Sequence, residues 1–319
     1  MIDKKINKLR NLIKLNNIDG YIVPKNDEFF SEYAFPNRLK TISNFSGSAG
    51  LAIILKDKNF LFVDGRYTLQ SKIESGNNFK IIEIPKLLPH DLLRKYKKEL
   101  LLGFDPILFT NNSLKRSFKD SCSLIPINQN LIDLIDTKKI YDHRKETFYI
   151  LYDKVVGESV NSKINKLILN LKKNKIDNIF ISAPENVAWL LNLRGKDNPY
   201  SPIPNCQIIL TKNKKIYFFS SKNKIIKIKN QYPYKNFNFS DFNEFFSLIS
   251  KLPGKYFSID SSTCSVFNES IIKSKFICKS SVDPCYEMKA IKNQIEIKNM
   301  VKAHIYDGTA LTKFIYWIK

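Results

Sequence analysis

Ile6-Asn7-Lys8-Leu9 opens a stretch that closes on Asn17-Ile18-Asp19-Gly20-Tyr21-Ile22-Val23. The same pattern returns as Ile164-Asn165-Lys166-Leu167, closing on Lys175-Ile176-Asp177-Asn178-Ile179-Phe180-Ile181. The offset is 158 residues at both ends, so the two stretches align without a gap. Further on, Asn44-Phe45-Ser46-Gly47 is echoed by Asn192-Leu193-Arg194-Gly195. Ile54-Leu55 with Leu61-Phe62-Val63 is echoed by Ile209-Leu210 with Ile216-Tyr217-Phe218. Solenoid repeats have periods of roughly 20 to 50 residues. A unit this much longer is a whole domain present twice.

The first copy shows what each contains. Ile2, Ile6, Leu9, Leu12 and Ile13 recur at helical spacing and predict an amphipathic opening helix. Tyr21-Ile22-Val23-Pro24 reads as a buried strand. Leu51 to Leu55 and Phe60 to Val63 read as two more, joined by the charged turn Lys56-Asp57-Lys58-Asn59. Tyr67 to Glu74 is helical in pattern. Helix, strand, helix, hairpin strands and helix predict an α/β sandwich with a mixed sheet.

The polar stretch from Asp136 to Lys145 marks one boundary and Asp283-Pro284 the next. The expected domains are therefore 1–141 and 142–284, with 285–319 left over. In that remainder Asn293 and Glu296 form a capping-box pattern. Ile297, Val301, His304, Gly308, Leu311, Ile315 and Ile318 then mark one helix face. So wide an apolar stripe must pack on something. The two choices are the two domains themselves or a third domain outside this chain, and the third domain is the expectation adopted.

At 319 residues the length fits two domains, and 43% hydrophobic with 13% aromatic residues gives each a core, so disorder is not expected. No apolar run approaches the roughly 18 residues of a membrane span, and charges interrupt any signal-peptide core. Five cysteines without CxxC spacing suit free thiols in a reducing cytoplasm. The net charge of +22 points toward polyanions. Only seven of the 52 basic residues are Arg, however, and specific phosphate or base readout favours the guanidinium fork. The charge reads as a solvated lysine surface, with salt-sensitive polyanion association as the weaker alternative.

Asn44-Phe45-Ser46-Gly47-Ser48-Ala49-Gly50 lets backbone approach either a ligand or another backbone closely. It lacks the Lys of a phosphate-binding loop. Arg66, in Asp64-Gly65-Arg66-Tyr67, offers a fork to a peptide carboxylate or carbonyl, or pairs with Asp64 or another neighbouring acid. Asn198-Pro199-Tyr200-Ser201-Pro202-Ile203-Pro204 is a stiff loop suited to a cleft wall or to a plain connection. The three histidines, His90, His143 and His304, are scattered, and no HExxH, Gly-x-Ser-x-Gly or Cys/His cluster occurs. No residue is assigned as catalytic and none as a metal ligand. His304, alone on its apolar face, reads as a packed residue.

In combination these strings resemble a family. Asn44 to Gly50, followed by Asp64-Gly65-Arg66-Tyr67, resembles the first domain of cytosolic Xaa-Pro aminopeptidases of the creatinase/prolidase superfamily. Ala188 to Gly195 with Tyr200 to Pro204 resembles the second domain. Asp283-Pro284-Cys285, Lys289 to Asn293 and Ala303 to Gly308 resemble the junction into the catalytic domain.

The resemblance implies an α/β fold: two tandem creatinase N-terminal-like (ribonuclease H-like) domains, then the first helix of a "pita-bread" domain. In relatives that third domain carries two Asp, one His and two Glu on two divalent metals, usually manganese, whose bridging hydroxide attacks the carbonyl of the first residue when proline follows. This chain stops before those ligands, so it is expected to hold no cofactor and to be inactive alone. Its implied role is to narrow the cleft toward a free peptide N-terminus and to aid subunit contacts. Phe45, Arg66 and Tyr200 are the candidates to face that cleft. The implied partners are peptides with proline at the second position and a second subunit, with no specific nucleic acid and no membrane, in the cytoplasm. The alternative is a stand-alone peptide-binding or dimerisation module without peptidase activity.

Overall fold

The computed structural model describes residues 2–31, 33–136, 148–229 and 236–319. The expected boundary at 141/142, most of the stretch from Asp136 to Lys145, and His143 lie outside the described residues. The chain separates into two units, Met1–Asp142 with Ser261–Ser274, and His143–Asp260 with Lys275–Lys319.

The first unit has strands β1 (Gly20–Pro24), β2 (Leu51–Leu55), β3 (Asn59–Asp64), β4 (Lys80–Ile84), β5 (Leu101–Phe104) and β6 (Ser123–Pro126). They form one sheet in the order β4-β3-β2-β1-β5-β6. The pairs β1/β2 and β2/β3 are antiparallel, while β3/β4, β1/β5 and β5/β6 are parallel. Its helices are α1 (Ile2–Leu15), α2 (Arg38–Ser43), α3 (Thr68–Ser75), α4 (Pro89–Leu93), α5 (Asn111–Phe118) and α6 (Leu131–Ile135). Successive side chains leave a strand on opposite faces. Tyr21, Val23, Ala52, Ile54, Leu61 and Val63 thus meet Ile6, Leu9 and Ile13 of α1 on one side. Ile22, Ile53, Phe60 and Phe62 join Phe104, Leu114 and Phe118 on the other.

The second unit repeats this plan. After the two-residue strand β7 (Tyr149–Ile150) come β8 (Asn178–Ile181), β9 (Leu193–Arg194), β10 (Gln207–Thr211), β11 (Ile216–Phe219), β12 (Phe237–Ser240), β13 (Tyr256–Ile259) and β14 (Ile277–Ser280). The sheet order is β12-β11-β10-β8-β13-β14, with β7 and β9 forming a separate ribbon. Position by position the pairing senses match those of the first sheet. Its helices are α7 (Asp153–Val156), α8 (Val160–Lys173), α9 (Pro184–Leu190), α10 (Lys222–Lys229), α11 (Phe245–Lys251), α13 (Pro284–Ala290) and α14 (Gln294–Ile318), while α12 (Val266–Lys273) falls within the first unit. Within that unit the Val266 and Phe267 N–H groups at the start of α12 donate to the carbonyls of Phe109 and Pro106.

Both ends of α1 and α8 differ by the same 158 residues that offset the sequence repeat. The turn that follows repeats too. Asn17 and Lys175 are left-handed at φ 53° and 52°. Next, the N–H of Asp19 donates to Leu101 O while the Asp19 carboxylate accepts from Leu101 N at 3.1 Å. Asp177 makes the same ring with Tyr256, accepting from its N–H at 3.0 Å. Lys56 donates to Asp19 at 2.9 Å, and Lys212 to Asp177 at 2.6 Å. One carboxylate per unit thus extends the central parallel ladder by one rung and ties it to the hairpin.

α14 has the expected start. Asn293 Oδ1 accepts from the Ile295 and Glu296 N–H groups, and Glu296 accepts from Asn293 N. Asn293 and Asn299 also donate to the carbonyls of Val156 and Val155 at the end of α7. Beyond that anchor none of its 25 residues is buried, and Val301, His304, Leu311 and Ile315 stand exposed. His304 is therefore not a packed residue within the described chain.

Candidate functional site

The loop from Asn44 to Gly50 begins where α2 stops. Asn44 adopts φ 60° and its N–H returns to Lys40 O, closing the helix. The chain then turns Phe45 inward until it is fully buried, edge-on to Tyr67 at 5.6 Å between ring centroids. Gly47 is required here, because a Cβ on it would lie 2.2 Å from the Phe45 ring. The N–H and hydroxyl of Ser46 donate to Glu74 at 2.7 and 2.6 Å, and Gln70 donates to both residues. Burial opposes ionisation of Glu74, but these donors outweigh it and hold the carboxyl below its usual range. The loop's polar groups are thus engaged by α3 of its own unit.

Arg66 follows β3 in a short 3-10 turn. Its Nε and Nη2 grip Asp64 at 3.0 and 2.8 Å, and its guanidinium lies 5.0 Å from the centre of the Tyr67 ring. The Arg66 fork lowers the Asp64 pKa. Of the two readings of Arg66, the pair with Asp64 is the one formed, yet the side chain is 69% exposed and reaches solvent over Tyr67. Tyr67 therefore touches both Phe45 and Arg66. Sequence reasoning did not single it out; its place after Arg66, in register with the loop's aromatic, was the available signal.

In the second unit Asn192 occupies the place of Asn44, again left-handed at φ 51°. Its side chain donates to Glu158 O and accepts from Lys163, whose ammonium also reaches Trp189 O at 2.8 Å. Lys163 is 2% exposed and sits 4.3 Å from the Trp189 ring centre. Burial, only partly offset by Glu158, lowers its pKa to about 8. Gly195 leaves room for the proline loop to fold back, since a Cβ would meet Pro204 at 2.8 Å, and its N–H donates to Pro202 O. Asp197 fixes the loop's base by accepting from Asn205 N and from Lys224, a buried ion pair. Tyr200 crowns this rigid loop at 83% exposure. It belongs to the second unit, and Phe45 and Arg66 to the first.

Among the described residues no group of three or more His, Cys, Asp or Glu side chains could hold an ion. His90 is buried with Nδ1 against Ser117 O, and the buried thiols of Cys206 and Cys285 are pushed up by desolvation. The described residues therefore do not fit a two-metal site.

The creatinase/prolidase N-terminal domain is matched twice, over residues 5–136 and 142–296. Xaa-Pro aminopeptidase 1 of Dictyostelium discoideum is 32% identical across 100% of this chain and 53% of its own length. A probable Xaa-Pro aminopeptidase P of Coprinopsis cinerea is 28% identical across 99% of this chain and 55% of its own. Among solved structures, the X-prolyl aminopeptidase of Caenorhabditis elegans, a cytosolic enzyme with a di-nuclear active site, superposes with a TM-score of 0.87 at 26% identity. That alignment covers 100% of this chain and 56% of the nematode enzyme. The chain thus spans about half the length of the curated relatives it matches.

Proposed function

This chain belongs to the creatinase/prolidase N-terminal domain family, and from that premise we propose that it is the non-catalytic amino-terminal part of a cytoplasmic Xaa-Pro aminopeptidase. The observation that carries the reading is the tandem match: two family domains in order, aligned end to end with one half of such enzymes. The hydrolytic step belongs to the other half, which would hold the pair of divalent metals, manganese in this proposal. The exposed apolar face of α14 supports it as the surface that half covers.

The two domains serve by restricting access so that only a free peptide N-terminus, with proline second, reaches the reaction centre, and by contributing subunit contacts in a homodimer. Arg66 suits the first task, since its fork is already held in place by Asp64 and Tyr67. Tyr200 suits it too, an aromatic on a stiff loop. Phe45 acts from inside, as the support on which Tyr67 rests.

A chimaera tests the proposal: this chain replaces the matching half of the Dictyostelium enzyme. The expected result is metal-dependent release of arginine from Arg-Pro-Pro, with Arg66→Ala raising KM more than it lowers kcat. A soluble, folded chimaera that loads metal and releases no arginine overturns it.

A further inference from the structure

Where β3 and β4 begin, the first unit carries an open cleft of about 850 Å³. Its rim holds five cations, Arg10, Lys58, Lys80, Lys95 and Lys97, and one acid, Asp57. Asp57, 3.9 Å from Lys58, offsets one of these charges and leaves a net of four. Lys80, Lys95 and Lys97 form no ion pair among the described residues, whereas Lys56, Lys86 and Lys98 in the same unit are each matched to a carboxylate.

Charge alone would leave this a patch of lysine surface, but the cleft is also built. Arg10, one of the chain's few arginines, is held by Nε on Leu55 O at 3.2 Å and by Nη2 on Asn59 Oδ1 at 3.1 Å. Asn59 is fixed in turn by donating to Asn78 O at 2.8 Å. Arg10 Nη1 makes no hydrogen bond among the described residues, so a pre-set guanidinium keeps a donor for the cleft. The nearly buried Phe60 and Leu92 give an apolar floor, and the half-buried Tyr96 forms a wall.

A fixed fork, flexible ammonium groups and an aromatic wall together match one ligand chemistry: several negative charges joined to a flat apolar group. We propose that this cleft binds an organic polyphosphate, its phosphates on Arg10 and the lysines and its ring against Tyr96. Arg66 is not among the residues lining this cleft, and the inference stands independently of the aminopeptidase reading.

The test uses the whole chain at about 0.15 M ionic strength, where screening suppresses diffuse attraction. Adenosine triphosphate, inorganic tripolyphosphate and adenosine are titrated by calorimetry. The expected result is saturable triphosphate binding with a Kd below about 1 mM, at least about tenfold tighter than either fragment. Lys95→Glu/Lys97→Glu is expected to weaken it at least about tenfold, and Lys172→Glu/Lys173→Glu, with the same charge change on α8, less than about twofold. Equal losses in the two pairs would reduce the effect to net charge and overturn the site. So would tripolyphosphate binding as tightly as the nucleotide, or no saturable binding.

Discussion

Lys5 in α1 and Lys163 in α8 occupy the same place in the repeat, and they end in opposite environments. Lys5 is 26% exposed and pairs with Asp136 at 2.8 Å. Lys163 is 2% exposed, and among the described residues a backbone carbonyl and an amide oxygen are all that receive its protons. The difference lies in what the following turns supply. The first unit places an acid just after α6; the second places Trp189 and the left-handed Asn192 over the lysine. Asp19 and Asp177, by contrast, both keep the partner-strand N–H and the hairpin lysine of their clamp. Duplication has preserved the joint that sets strand register and let the helix-to-loop contact diverge.

Substitutions at equivalent positions can break this comparison. Leu9 and Leu167 are both wholly buried at matching points of α1 and α8. Leu→Ala at either is expected to cost about 3 to 4 kcal/mol by urea denaturation followed by circular dichroism. Markedly unequal losses would show that the two sandwiches are packed differently.

Lys163 gives the next effect. Its folded pKa of about 8 lies below the unfolded value near 10.5, so the unfolded chain binds more protons between them. Stability is therefore penalised below about pH 8 and recovers as pH rises toward 10.5. Relative to Lys163→Met, the wild-type chain should gain up to about 3 kcal/mol across that window. A pH-independent difference would mean that Lys163 is not held charged in a dry site.

The aspartates act at the acid end. For Asp19, burial raises the pKa but Lys56, Lys98 and the Leu101 N–H lower it further, to about 2. For Asp177 the Lys212 hydrogen bond leads, with the Tyr256 and Lys255 N–H groups, again to about 2. A depressed carboxyl stabilises the fold above its unfolded value and loses that contribution as pH falls through the folded one. Asp19→Asn and Asp177→Asn should each remove about 2 kcal/mol at neutral pH and flatten the stability loss between about pH 4 and 2. A flattened profile in one variant only would contradict the shared clamp. Smallest of all, Lys5→Met should cost no more than about 1 kcal/mol, as for other solvent-reached ion pairs.

Much of this was legible in the residues. Ile2, Ile6, Leu9 and Ile13 form the buried face of α1 that their spacing indicates, and Asn293 with Glu296 caps α14 as its pattern requires. The strand register was not legible. The string match sets Ile54-Leu55 beside Ile209-Leu210, but pairing makes Thr211, opposite Asn178, the counterpart of Leu55 opposite Gly20. The central strands β1, β2, β8 and β10 are buried on both faces, so no alternation along them pins the count. The glycines around Phe45 correctly signalled a close approach, but what approaches is the Phe45 ring itself, 2.2 Å from a Cβ on Gly47 and 3.1 Å from one on Gly50. Such inward folding depends on Tyr67, outside the loop. Asp19 and Asp177 stood inside the quoted repeat, yet their role needed the partner strand. The Asp197–Lys224 pair has no local signal at all.

The most direct test of the division of labour takes the 319-residue chain by itself, dialysed against manganese, for elemental analysis and incubation with Arg-Pro-Pro. The predicted result is less than stoichiometric metal and intact peptide. Stoichiometric manganese with metal-dependent release of arginine would place the chemistry within these two domains and contradict the account.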